Sequence, residues 1–173
     1  ACDIGSPAQT TIATFTTLAF FMDAALDTHA HASGHAGLLD PARLDRADTL
    51  LRTQPFPFLI ARGQLPADAC ADLQRDFPRY PSAGFFPHER DDCGPSINRL
   101  IGQLTSRAFA DAIGARLDVA QLGRYPSLVT ICRALNKRHG TIHTDSRSKV
   151  ATALLYLSET WPDISEGCLR FLR

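Results

Sequence analysis

The segment GTIHTDSRSKVATALLYLS (140–158) carries the clearest structural signal in the chain. Its polar cluster, His143-Thr144-Asp145, precedes an apolar run that is typical of a buried β-strand. In a strand, residues i and i+2 point to the same side, so we expect the imidazole of His143 and the carboxylate of Asp145 to project together. These groups are two of the three ligands in a 2-His-1-carboxylate facial triad for iron. The same spacing also fits a hydrogen-bonded His–Asp pair at a strand edge.

The flanking segments divide the chain into a helical part followed by a β part. Asp40-Pro41 is typical of a helix N-terminus. Apolar residues at four-residue spacing, Ala69, Leu73 and Phe77, mark a second helix. The patterns predict helices over 40–53, 66–78 and about 97–116, and strands over 58–65, 127–135, 141–145, 149–158 and 167–173. Helices first and strands later favour an α+β protein with an antiparallel sheet.

Length and composition narrow the class of protein. The 173 residues suit one domain, and 45% hydrophobic with 21% charged residues is ordinary for a globular protein. The formal net charge is zero, which gives no electrostatic reason to expect nucleic acid or an anionic membrane as a partner. No apolar stretch reaches the roughly 20 residues of a spanning helix. The apolar segment 11–22 lacks the basic region of a signal peptide, so we expect a cytoplasmic protein.

The cysteines and the N-terminal segment complete this outline. The five cysteines show no paired spacing, which argues against a structural zinc site and favours free thiols in a reducing compartment. Residues 1–38 contain three histidines but no Lys or Arg, and we interpret them as a leader rather than as a metal-binding tract. The remaining residues, 39–173, form the predicted domain.

The residues around the His-Thr-Asp cluster resemble the iron(II)/2-oxoglutarate-dependent oxygenases, in particular their bacterial, prolyl-hydroxylase-like branch. That family has an HxD motif, an apolar strand ending in a Tyr-Leu-containing turn, a Trp-containing loop and a Gly-Gly-x-Leu strand. This chain matches with HTD (143–145), LYLS (155–158), Trp161 and GCL (167–169). In the last of these motifs a cysteine replaces the second glycine. The likeness covers about residues 55–173.

The resemblance implies a fold, a metal and a reaction. It implies a partial double-stranded β-helix (jelly roll) with N-terminal supporting helices. It implies that His143 and Asp145 bind Fe(II), that 2-oxoglutarate is the co-substrate, and it allows for ascorbate as a further cofactor. The implied reaction is a hydroxylase-type oxidation of a small-molecule or peptide substrate, with decarboxylation of 2-oxoglutarate to succinate.

The remaining functional groups of the family are harder to place. Its third iron ligand is a distal His, and a basic residue near it anchors the far carboxylate of 2-oxoglutarate. None of the residues after Asp145 is His, so we expect both groups to lie beyond Arg173. Lys149 and Arg147 would share the side of Asp145 in a regular strand, and they are our candidates for co-substrate binding.

Upstream residues offer weaker alternatives. His139, in the turn before the cluster, and His88, in the loop over 79–96, are alternative third ligands, and Arg133 is a further candidate for the carboxylate. Two other functions also fit. One is a non-catalytic jelly-roll binding module, whose exposed strand edges a second copy of the chain would cover. The other is a cupin-type hydrolase or isomerase that uses a different divalent metal.

Overall fold

The computed structural model describes residues 11–14, 19–23, 37–136, 139, 143, 145 and 148–157, the first two ranges by their backbone alone. Within these residues the chain forms seven strands and three α-helices. The strands are β1 (Thr11–Thr14), β2 (Ala19–Asp23), β3 (Leu50–Arg52), β4 (Phe58–Arg62), β5 (Phe86–Pro87), β6 (Leu128–Cys132) and β7 (Thr152–Tyr156). The helices are α1 (Cys70–Asp76), α2 (Pro95–Leu104) and α3 (Arg107–Arg116).

The strands form one mixed sheet in the order β3-β4-β2-β7-β1-β6-β5. β1 pairs antiparallel with both β6 and β7, and the outer pairs β3–β4 and β5–β6 are antiparallel as well. β2 pairs parallel with β4 and with β7. The predicted mixture of helices and strands is therefore confirmed. The prediction of a purely antiparallel sheet is wrong, because β2 runs parallel to both of its neighbours.

One hydrophobic core lies between the helices and a face of the sheet. In β7 the burial alternates, with Ala153 and Leu155 buried and their neighbours half-buried. Buried side chains of all three helices join those of β4, β6 and β7 in one connected cluster, which includes Leu59, Leu73, Ile97, Leu100, Leu104, Phe109, Ile113, Ile131, Leu155 and Leu157. The apolar periodicity that predicted these elements thus marks the residues that hold them together.

The helices differ from the predicted ones in two places. The segment predicted as a helix over 40–53 forms a 3-10 turn over Pro41–Asp45, in which Asp40 accepts a hydrogen bond from the Ala42 N–H as predicted for an N-cap. The backbone then extends and enters β3. The helix predicted over 97–116 is two helices, because Ser106 caps a new start at α3 through the Phe109 N–H.

The junction between α1 and α2 depends on Asp76. Its carboxylate accepts hydrogen bonds from Arg75 Nε and from the backbone N–H of Ser96, both at 2.8 Å, and its carbonyl accepts from the Gly94 N–H. The hydrogen bond from Arg75, together with that from Ser96, lowers the pKa of Asp76 to about 2. A buried carboxylate at the first turn of α2 therefore satisfies backbone donors that the helix itself leaves free.

Gly94 has no room for a side chain at this junction. A Cβ atom there would lie 2.5 Å from Cβ and Cγ of Asp76. We expect Gly94→Ala to lower the free energy of unfolding by about 1–3 kcal/mol, as overpacking does. Gly102→Ala, inside α2, is the control, since nothing lies within 4 Å of its added Cβ. Urea unfolding followed by circular dichroism measures both, and equal stability of the two variants would contradict the contact.

Two further findings concern the cysteines and the helices. Cys70 is disulfide-bonded, to a partner outside the described residues, whereas Cys93 and Cys132 are free and buried. The prediction of free thiols is therefore wrong for Cys70. In the part of the chain that the structure describes, every helix is too short or too polar to cross a membrane.

Candidate functional site

The connection from β6 to β7 positions the His-Thr-Asp cluster. Thr11 of β1 lies opposite both Cys132 and Tyr156, and β1 is antiparallel to both strands. β6 and β7 therefore run in the same direction. The start of β7, at Thr152, lies roughly 13 Å along the strand direction from the level of Cys132. The cluster reaches the sheet at this start of β7.

His143 and Asp145 lie close together, as predicted, but outside a strand. Nε2 of His143 is 3.9 Å from Oδ1 of Asp145. Neither residue is in a strand, so the predicted strand over 141–145 is wrong at its described positions. The side chain of His143 is 67% exposed and that of Asp145 is 28% exposed. The imidazole is thus open to solvent beside a carboxylate that is largely covered.

Two neighbours fix the carboxylate of Asp145. The Thr152 hydroxyl donates a hydrogen bond to Oδ2 at 2.7 Å, and the Lys149 ammonium donates one to Oδ1 at 2.9 Å. Burial acts to raise the pKa of Asp145, but the hydrogen bonds from Thr152 and Lys149 and the charge of Lys149 outweigh it, so this pKa lies below its ordinary value. The group is therefore a carboxylate near neutral pH, and the start of β7 holds it in place.

The sequence did not point to Thr152. It lies seven residues after Asp145 and within the apolar run, where a threonine is an ordinary strand residue. The available signal is its position between Ala151 and Ala153. Because these alanines lie on the buried face of β7, Thr152 lies on the opposite face, where it can contact the preceding segment.

The other residues that the sequence predicted for the site either lie away from Asp145 or fall outside the described residues. Arg147 is outside them, as are Trp161 and the predicted strand over 167–173. Lys149 contacts the carboxylate of Asp145, and its predicted role in binding 2-oxoglutarate stays a prediction. Arg133 directly follows β6, at the end of the sheet opposite to Thr152.

The alternative third ligands are engaged in local structure. His139 Nδ1 accepts a hydrogen bond from the Asn136 N–H, and its ring packs edge-on against Phe85. His88 Nε2 lies 2.8 Å from Oδ1 of Asn98, which ties the loop over 79–96 to α2. Among the described residues, no group of three His, Cys, Asp or Glu side chains is arranged to hold a metal.

The separation of the donor pair is close to, but wider than, that of two adjacent positions of a metal site. Two donor atoms about 2.1 Å from one metal at adjacent octahedral positions lie roughly 3.0 Å apart, so the 3.9 Å between Nε2 of His143 and Oδ1 of Asp145 requires the exposed imidazole to rotate toward the carboxylate before both bind one cation. An imidazole nitrogen and an ionised carboxylate are ligands that suit Fe(II). Lys149 supplies a positive charge at the same oxygen, Oδ1, so its ammonium occupies a place where a cation is favoured.

Comparison of the chain with protein-family models, with curated proteins and with solved structures found no match in any of the three. Any assignment of function therefore depends on the residues of this chain and on their geometry.

Proposed function

We propose that this chain is the metal-binding part of an iron(II)/2-oxoglutarate-dependent oxygenase, with His143 and Asp145 as two of the iron ligands. The observation that carries the proposal is the 3.9 Å approach of Nε2 of His143 to Oδ1 of an Asp145 whose charge is maintained. Two protein ligands leave other positions of the metal for a third protein ligand and the co-substrate, as in a facial triad. The motif order after Asp145 is the further support from the sequence.

Each residue of the site has a defined task in this proposal. Asp145 carries the negative charge toward the metal, and Thr152 restricts the rotation of its carboxylate by holding Oδ2. His143 supplies the second donor from the solvent-exposed side. Iron, when bound, supplies the redox chemistry that couples decarboxylation of 2-oxoglutarate to oxidation of a substrate.

The finer features of the family are part of the same proposal. They include a double-stranded β-helix, a small-molecule or peptide substrate, a cytoplasmic location and a second copy of the chain at the sheet edges. The outer strands β3 and β5 have three and two residues, and such short edges present few unpaired backbone groups. Leu51 of β3 is nevertheless 46% exposed, which gives a partner an apolar contact at this edge.

One observation favours a second candidate, a non-catalytic module. The contacts of Asp145 with Lys149 and Thr152 tie the segment before β7 to the start of that strand. These contacts are sufficient for Asp145 to stabilise the fold, without a role in metal binding. The two candidates differ in what Lys149 does: it competes with a cation for Oδ1 in the first and only stabilises the fold in the second.

Binding of Mn²⁺, an EPR-visible substitute for Fe(II), separates the two candidates. We expect His143→Ala and Asp145→Ala each to weaken Mn²⁺ binding at least about tenfold, equivalent to about 1.4 kcal/mol. Lys149→Met removes the competing ammonium and should strengthen it. His139→Ala is the control, because that imidazole packs against Phe85. Unaltered Mn²⁺ binding in both ligand variants, or a Lys149→Met variant that only unfolds more easily, would contradict the metal site.

A further inference from the structure

A second place in the molecule presents two arginines toward one cleft. The cleft has a volume of about 240 Å³ and is lined by Gln74, Phe77, Pro78, Arg79 and Arg133. These residues come from the end of α1 with the turn after it, and from the position directly after β6. Among the described residues that line the cleft there is no acidic side chain. The two guanidinium groups therefore give it a positive potential.

The two guanidinium groups have no polar partner in the part of the chain that the structure describes, where neither Arg79 nor Arg133 makes a hydrogen bond or an ion pair. The nearest carboxylates along α1 are already engaged, because Arg75 pairs with both Asp72 and Asp76. Arg133 is half-buried all the same, whereas Arg79 is exposed at the mouth of the cleft. Arg133 is therefore the more informative of the two, because a charged side chain that is partly withdrawn from water without a partner is favoured when an anion binds beside it.

We propose that this cleft binds a small organic or inorganic dianion, held by the guanidinium groups of Arg79 and Arg133. The planar guanidinium forms paired hydrogen bonds with carboxylate and phosphate oxygens, so the common chemistry is a ligand with two negative charges on oxygen. The volume is below the range of roughly 300–1,000 Å³ that drug-sized ligands occupy, which limits the ligand to a small molecule.

This cleft is separate from the candidate metal site. Arg133 follows the end of β6, whereas Asp145 is bound to Thr152 at the start of β7, and these positions lie at opposite ends of the sheet. Binding at the cleft does not require the oxygenase proposal, and it should persist when a chelator removes every metal ion.

Calorimetric titration with two probes, succinate and inorganic phosphate, tests the cleft in the presence of EDTA. We expect at least one probe to bind at millimolar concentration. Arg79→Gln and Arg133→Gln should each weaken that binding at least about tenfold, since each variant removes a charged hydrogen-bond donor. Arg99→Gln, which removes an exposed arginine of α2, is the control and should leave it unchanged.

The outcomes decide both the site and the source of the anion. Preference for succinate identifies a dicarboxylate site, and preference for phosphate identifies a phosphate or phosphate-ester site. Thermal stabilisation by the same probe, lost in both arginine variants, supports binding to the folded chain. Failure of both probes to bind, or equal binding by the wild type and both cleft variants, would overturn the proposal. Loss of binding in Asp145→Ala alone would also overturn it, because it would place the anion at the other end of the sheet.

Discussion

Leu155→Ala should lower the free energy of unfolding by about 2–5 kcal/mol, the range for leucine-to-alanine changes in packed cores. Leu155 is fully buried in β7, and β7 lies between β1 and β2 in the sheet. Its side chain belongs to the cluster that joins the sheet to the helices. The truncated side chain leaves a cavity between the sheet and the helices. Because the surrounding side chains are closely packed, they have little freedom to move into it.

Leu154→Ala is the matched control for this prediction. Leu154 is the neighbouring residue of β7, faces the other side of the sheet and is half-buried. We expect it to cost about 1 kcal/mol, because it removes less surface from water. Denaturant unfolding of the two variants measures the difference. Equal losses would contradict the assignment of the buried face of β7, and hence the orientation of Thr152 toward Asp145.

Much of the local structure could be predicted from the sequence because it depends on short-range patterns. The apolar run in 149–158 predicted β7, and the four-residue spacing of Leu73 with its neighbours predicted α1. The Asp40 cap was also predicted, although the turn that follows it ends after five residues. Caps and periodicity are properties of a few adjacent residues, and they can be recognised without knowledge of the fold.

Long-range pairing could not be predicted in the same way. The parallel pairing of β2 with β4 and β7 joins segments that are far apart in the chain. Leu50 and Leu51 were assigned to a helix, but their pairing with β4 makes them a strand. Such contacts are set by the tertiary structure, which outweighs local propensity in short segments.

In the candidate site, too, some features could be predicted from local patterns and others could not. The proximity of His143 and Asp145 was predicted from strand geometry, and the two side chains do approach each other, though neither residue is in a strand. The sequence did not predict that Thr152 and Lys149 hold the carboxylate. That network requires the segment before β7 to fold back onto the start of the strand, which no local pattern encodes.

The oxygenase proposal predicts the largest effect on activity. With Fe(II) and 2-oxoglutarate, His143→Ala and Asp145→Ala should each reduce succinate formation at least about 100-fold, which corresponds to about 2.7 kcal/mol of transition-state stabilisation. The reason is that each variant removes a donor atom from the metal, and Asp145→Ala also leaves Lys149 without its carboxylate. His139→Ala is expected to retain wild-type turnover, because it removes an imidazole that packs in a turn.

The most direct test is therefore Fe(II)-dependent succinate formation by the full-length gene product, measured side by side for the wild type and these three variants. We predict turnover in the wild type and in His139→Ala, and its loss in His143→Ala and Asp145→Ala. Absence of succinate in the wild type, or equal turnover in all four proteins, would contradict the proposal that this imidazole and this carboxylate bind the catalytic iron.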